Sequence, residues 1–369
     1  MKEIGIVGGG LAGLISAILL NRKGFSVTLF EKKTYPFHRV CGEYISNETV
    51  PFLKREGLYP SPFDPPIIKQ FILTSISGGE ARVPLDMGGF GISRYTYDHF
   101  LVAIAKKEGV VVKEGTSVTN IIFKDSSFQL EAGTKTFEMP VVIGAFGKRS
   151  KLDKALKRDF MEKRSPFVGV KYHVKADFPN DAVALHNFPL GYCGISRVED
   201  DKYNMCYLTR RENLKEYKDI KAMEEAIVYQ NPHLKALFEN SEFLLDQPEV
   251  INEISFAPKQ LIEDHILMTG DSAGLITPLC GNGMAMAIHG AKVLSDCIDR
   301  NWNGSLDRFS VAYDYVHEWN ALFKRRLWVG RKTQNLFGTP LTSSFAVGLG
   351  KYARPLTKKL ISLTHGRTF

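Results

Sequence analysis

The chain has 369 residues, enough for two joined domains rather than one core, and its 44% hydrophobic and 24% charged residues are the proportions of an ordinary folded protein. Its net charge of +8 is concentrated: Trp319–Phe369 holds ten Lys or Arg and no Asp or Glu, leaving 38 basic against 40 acidic residues elsewhere, which argues against a chain-wide nucleic-acid surface. Five scattered cysteines (Cys41, Cys193, Cys206, Cys280, Cys297), with no C-x-x-C and no Cys/His ligand spacing, argue against a disulfide framework or a metal site and fit a reducing cytoplasm.

From the N-terminus, Ile4–Leu20 is uncharged and follows Lys2, which mimics a leader peptide. The Gly8-Gly9-Gly10 break and the missing cleavage signal before Asn21-Arg22-Lys23 favour strand, turn and helix instead. Ile4, Ile6 and Val7 predict a buried strand, Leu11–Arg22 a helix stopped at Gly24, and Ser26–Phe30 a second strand ending on Glu31. Gly8, Gly10 and Gly13 form G-x-G-x-x-G around Leu11 and Ala12. In a dinucleotide-binding turn, Gly8 permits the tight bend, Gly10 lets backbone approach a pyrophosphate, and Gly13 lets helix and strand touch. Glu31 is spaced to accept hydrogen bonds from a ribose and disfavours a 2′-phosphate; Lys32 beside it joins the expected cofactor contacts.

Segments 67–76, 167–174, 183–188, 192–198 and 203–208 are short, turn-bounded and rich in β-branched or aromatic residues, and predict an antiparallel sheet. Lys221–Gln230 predicts a helix. "HILMTGDSAG" predicts a strand ending at Gly270-Asp271, and Asn282 to about Asp296 a helix. In the tail, Phe345, Leu349, Tyr352, Leu356, Leu360 and Leu363 recur at helical spacing, with Pro355 expected to open a second short helix. Lys351, Arg354, Lys358, Lys359 and Arg367 add charge without nearby acid, so two readings stand: a helix on the first domain, or a peripheral contact with an anionic membrane. Beyond the N-terminal stretch, no segment has the roughly eighteen uncharged apolar residues that a spanning helix needs.

The two glycine motifs together resemble the FAD-binding fold of the p-hydroxybenzoate hydroxylase superfamily. The resemblance implies an α/β chain: a Rossmann-type FAD-binding domain (1–65, 92–165 and 255–340), an inserted antiparallel substrate sheet (66–91 and 166–254) and a helical tail (341–369). It implies FAD as cofactor, with Gly270-Asp271 on the ribityl chain and Pro278, Gly281, Asn282 and Gly283 bringing a helix N-terminus to the flavin. Arg94, Tyr97, Asp98 and Leu101 are similar to the family's R-x-x-[FY]-D-x-x-L segment, with Arg94 near the cofactor and Asp98 as a helix cap. Arg39, Cys41, Gly42 and Ser46 resemble the R-x-C-G-x-x-[IL]-S loop of the geranylgeranyl reductase branch, which puts Cys41 near flavin and substrate and adds Arg39 to the expected cofactor contacts.

Two departures stand out. Phe146 occupies the Asp position after the strand "VVIGA", which argues against use of free NADPH. Gly194 replaces the Trp of the reductase sheet motif, though Tyr192 is kept; the W-x-W-x-I-P of halogenases is absent. No Ser/His/Asp triad or paired-carboxylate set stands out. The leading expectation is therefore reduction of a carbon–carbon double bond in a lipophilic substrate, with Cys41, Glu43, Tyr44 and Tyr192 as candidate catalytic or positioning groups. The electron donor would be NAD(P)H or a partner protein. The alternatives are aromatic hydroxylation and non-catalytic FAD binding.

Overall fold

The computed structural model describes residues 2–162 and 164–369. A six-stranded sheet runs in the order Ile262–Glu263, Ile266–Met268, Val142–Gly144, Glu3–Val7, Ser26–Phe30, Val111–Lys113. Every pairing is parallel except that of the first two. Helices cover one face. Leu11–Arg22 is buried from Leu11 to Leu20 because Arg94–Lys107 and Gly283–Arg300 flank it. A meander of Asn120–Lys124, Ser127–Ala132 and Lys135–Met139 lies across the other face, so close that a Cβ on Gly5 would sit 2.9 Å from Met139 Cγ.

The second sheet has nine strands. Its path is Glu242–Phe243, Phe167–Lys175, Tyr203–Arg210, Gly191–Arg197, Ala182–Phe188, Ile67–Thr74, Glu80–Gly91, Tyr44–Ser46, and Glu249–Asn252 also pairs with Phe167–Lys175. The five expected segments are all strands in it. The sheet is mixed, however, not wholly antiparallel: Ile67–Thr74 runs parallel to Ala182–Phe188. Propensity specifies a strand but not its neighbour, so this pairing follows from the long crossover between the two. Alternation then sorts the side chains. Val168, Val170, Tyr172 and Val174 join Met223, Val228, Leu234 and Phe238 of the outer helices, while Gly169, Lys171 and His173 face the other way. Lys221–Gln230 is one helix, Ile220–Ala226, and a 3-10 turn.

The tail forms the helices Pro340–Tyr352 and Arg354–Ser362, broken where Pro355 requires. Its apolar residues do not make one stripe. Leu349 and Leu360 face inward, whereas Phe345, Tyr352 and Leu356 are exposed.

Two close approaches fix the first domain. A Cβ on Gly13 would overlap the Gly8 carbonyl oxygen, and one on Gly270 (φ +61°) would lie 2.8 Å from Ala12 Cβ. Gly13→Ala should therefore cost about 2 kcal/mol or more in denaturant unfolding, since backbone has to shift. Gly348→Ala, at a helical site with nothing within 4 Å, should instead stabilise by ~0.5–1 kcal/mol.

Candidate functional site

A cleft of about 890 Å³ lies between the two sheets and collects the expected residues from both ends of the chain. The first motif supplies Gly8, Gly10 and Ala12, while Gly13 stands behind as a spacer. Helix Leu11–Arg22 has Gly10 as N-cap with no side chain on its free N–H groups, which leaves them to bind an anion. Arg94 reaches the same spot: a Cβ on Gly10 would be 3.4 Å from its Nη2. Asp98 is buried and aims Arg94, accepting from Nε and Nη2 at 2.7 Å each, and accepts from Arg39 Nε at 3.1 Å. Asp98 is thus not the helix cap expected from the sequence. Ser93 is, accepting from Thr96 N–H at 3.1 Å. Burial opposes the Arg94 charge, but the Asp98 carboxylate outweighs it and raises the guanidinium's pKa.

Glu31 lines the cleft beside the more exposed Lys32. Its carboxylate accepts from Gly9 N–H (2.9 Å), Lys33 N–H (3.0 Å) and Arg39 Nη2 (3.0 Å). That leaves room for about one more donor, such as a ribose hydroxyl.

The loop Arg39–Tyr44 forms the next part of the wall, with Cys41 and Tyr44 facing the cleft. Glu43 (φ +53°) is fully buried. It accepts from Arg94 N–H (2.8 Å), pairs with the buried Lys171 ammonium, and bonds His173 Nε2 (2.6 Å). Lys171 also donates to the Arg39 carbonyl (3.2 Å). Burial alone would raise the Glu43 pKa; Lys171 and His173 overcome this and hold it at about 2. Lys171 and His173 thus hold Glu43 as an anion. Lys171 and His173 were missed in the sequence, although two charged or polar residues two apart in "VGVKYHV" mark one face of an otherwise apolar strand.

The second motif forms the opposite wall. Asp271 lines the cleft, and among the described residues no side chain or backbone group bonds its carboxylate. Its carbonyl accepts from Lys259 Nζ at 2.8 Å; burial lowers the Lys259 pKa to about 8. Pro278, Gly281 (φ +60°), Asn282 and Gly283 lead into the helix Gly283–Arg300 at the cleft edge. A Cβ on Gly281 would sit 3.2 Å from the Tyr44 ring. Asn282 donates to the Thr364 carbonyl (2.8 Å), while its buried Oδ1 has no partner. Tyr192 is outside the cleft wall. Its hydroxyl accepts from Leu279 N–H (3.1 Å) and meets Gln334 (3.4 Å), so it positions the Pro278 loop rather than serving as a proton donor. Burial raises the pKa of both Tyr44 and Tyr192. Beyond the loop the wall is apolar: Phe71, Leu73, Leu185, Ile195, Leu279 and Phe337.

Glu43 contributes stability above the ordinary carboxylate value of 4.5 and loses it as pH falls toward 2. Glu43→Gln should cost about 3–5 kcal/mol at neutral pH, by stranding Lys171, and the deficit should shrink in acid. Adding Lys171→Met should restore part of it in urea unfolding.

The geometry fits FAD: a bare helix N-terminus with Arg94 for the pyrophosphate, Glu31 for the ribose, an unpaired Asp271 for the ribityl hydroxyls, and a glycine-lined second helix start for the ring. Several known proteins are similar. A conditioned medium factor receptor 1 of Dictyostelium discoideum is 24% identical over 335 residues, covering 82% of this chain and 64% of that protein. A tryptophan 2-halogenase of Chondromyces crocatus is 25% identical over 352 residues, covering 88% and 66%. The chain thus spans about two thirds of the length of these relatives. The structure of a flavin-dependent brominase superposes with a TM-score of 0.80 at 19% identity, covering 99% of this chain and 94% of that one. A digeranylgeranylglycerophospholipid reductase of Methanothermobacter thermautotrophicus is more distant, 22% identical over 315 residues, covering 80% and 77%. Halogenases recur in both comparisons, so the expected membership of the reductase branch is corrected to a distant likeness. The FAD-binding domain family matches residues 1–305: this chain belongs to that family, and its cofactor is FAD.

Proposed function

We propose that the protein is an FAD-dependent oxygenase that hydroxylates a lipophilic aromatic or polyketide-like small molecule. The observation that carries this reading is the commitment of two groups expected to donate protons: Glu43 is held as an anion by Lys171, and Tyr192 is held by Leu279. Both reactions take up one proton per reduced flavin, but double-bond reduction must deliver it to a substrate carbon, whereas in aromatic hydroxylation it ends in the water formed from oxygen and the ring carbon gives up its own proton. When bound, FAD would supply the redox chemistry between an electron donor and oxygen. The chain's own residues orient and exclude. The start of helix Gly283–Arg300 favours negative charge at the ring's edge, and Leu73, Leu185 and Ile195 keep water from an apolar substrate. The recurrence of halogenases among the relatives supports oxygen chemistry. Gly191-Tyr192-Cys193-Gly194-Ile195, with no W-x-W-x-I-P, favours hydroxylation over halogenation. Phe146 in the cleft wall favours a redox partner protein over free NADPH as electron donor.

Double-bond reduction is the second reading. It draws on the Cys41 thiol in the wall and the distant reductase relative.

Chemically reduced enzyme, mixed with phenolic substrates under isotopically labelled oxygen, should yield product carrying the label, with oxygen uptake matched to product. Anaerobic turnover that adds two hydrogens to an isoprenoid, and that changes with Cys41→Ser, would establish the reductase instead. Asp271→Ala removes the acceptor for the ribityl hydroxyls and should weaken FAD retention ~10–100-fold, leaving the melting of the apoprotein unchanged. Equilibrium dialysis of the flavin reads this directly.

A further inference from the structure

Helix Pro340–Tyr352 is turned inside out. Its buried side is small: Ser343, Ala346, Val347 and Gly350 lie against the hairpin Ser75–Ala81, where a Cβ on Gly350 would be 2.8 Å from Ala81 Cβ. Its outward side carries Leu341 (86% exposed), Phe345 (59%) and Tyr352 (88%), spaced four and seven residues apart on one helical face. Leu356 continues this exposure on the next helix. A helix facing only water would place its larger apolar residues inward.

The charge around this face says what covers it. Lys351, Arg354 and Lys359 are exposed, and among the described residues no acid is within ion-pair distance of any of them. Lys358 is different, being held by Asp86 at 2.6 Å. One helix earlier, exposed Trp328 has Lys324, Arg325, Arg331 and Lys332 three or four residues away, with the Lys332 ammonium 5.9 Å from its ring. Exposed aromatic and aliphatic side chains among unpaired Lys and Arg match the acyl–headgroup boundary of an anionic bilayer. Among the described residues no helix is long and apolar enough to cross one.

We infer that the outer face of Pro340–Ser362 lies on an anionic membrane and admits lipophilic substrate to the cleft, whose wall the same two helices form on their inner side through Leu349, Leu360 and Ile361. The delivery role rests on the reading of a lipophilic substrate. The membrane contact does not, so the two can fail separately.

Sedimentation of the flavin-loaded full chain with vesicles reads the contact without turnover. Wild type should bind phosphatidylglycerol-containing vesicles at low salt, bind pure phosphatidylcholine poorly, and release at high salt. Changing Lys351, Arg354 and Lys359 together to Gln should weaken binding ~100-fold. Leu341→Ser with Phe345→Ser and Tyr352→Ser should abolish it, with flavin content and melting unchanged because all three side chains are exposed. Inorganic phosphate should compete no better than chloride at equal ionic strength. Failure of wild type to bind anionic vesicles at low salt overturns the inference. So does binding that survives both triple variants. A dimer in solution that falls to monomer in the serine variant, without vesicle binding, would assign the face to a second copy instead.

Discussion

The Glu43 carboxylate is the junction on which the arrangement of the two sheets depends. It receives Lys171 and His173 from the nine-stranded sheet, and the backbone N–H of Arg94 from the helix that faces the pyrophosphate position. Burying these charges is expensive, and an apolar substitute could be as stable. What the pair supplies is register: Lys171 also holds the Arg39 carbonyl, so the strand, the loop and Arg94 are set relative to one another. The Cys41 thiol therefore occupies a defined place in the wall, supported by a buried charge cluster.

The same economy recurs around Asp98. One buried carboxylate directs Arg94 and Arg39 together, and Arg39 in turn bonds Glu31. Side chains that read in sequence as separate cofactor contacts are thus one hydrogen-bonded assembly. Its geometry is set before a ligand arrives, which lowers the ordering cost of binding.

Much of this was legible in the sequence where a local rule governs it. G-x-G-x-x-G, Gly270-Asp271 and the glycines after Pro278 act through backbone shape, so residue type alone betrays them. The helix Leu11–Arg22 and the break before Pro355 follow in the same way. What escaped depends on contacts distant along the chain. Glu43 reads as an acid until Lys171 is known to lie against it. Tyr192 reads as a pocket group until Leu279 takes its hydroxyl. The tail's apolar residues share a helical spacing, yet Pro340–Tyr352 packs through Ser343, Ala346, Val347 and Gly350, which leaves Leu349 inward and Phe345 and Tyr352 outward. The parallel pairing of Ile67–Thr74 with Ala182–Phe188 has no local signal either.

The contact between Ala12 and Gly270 has an evolutionary consequence. The two positions share one fixed volume, because the first glycine turn and the second motif meet there with a Cβ on one side only. A methyl can be accommodated at either position, but the left-handed backbone at Gly270 assigns it to residue 12. Substitutions at the two sites should therefore be correlated across descendants of this sequence. Growth at position 12 would be tolerated only in lineages whose second loop has withdrawn, and those lineages would have remodelled their grip on the flavin at the same step.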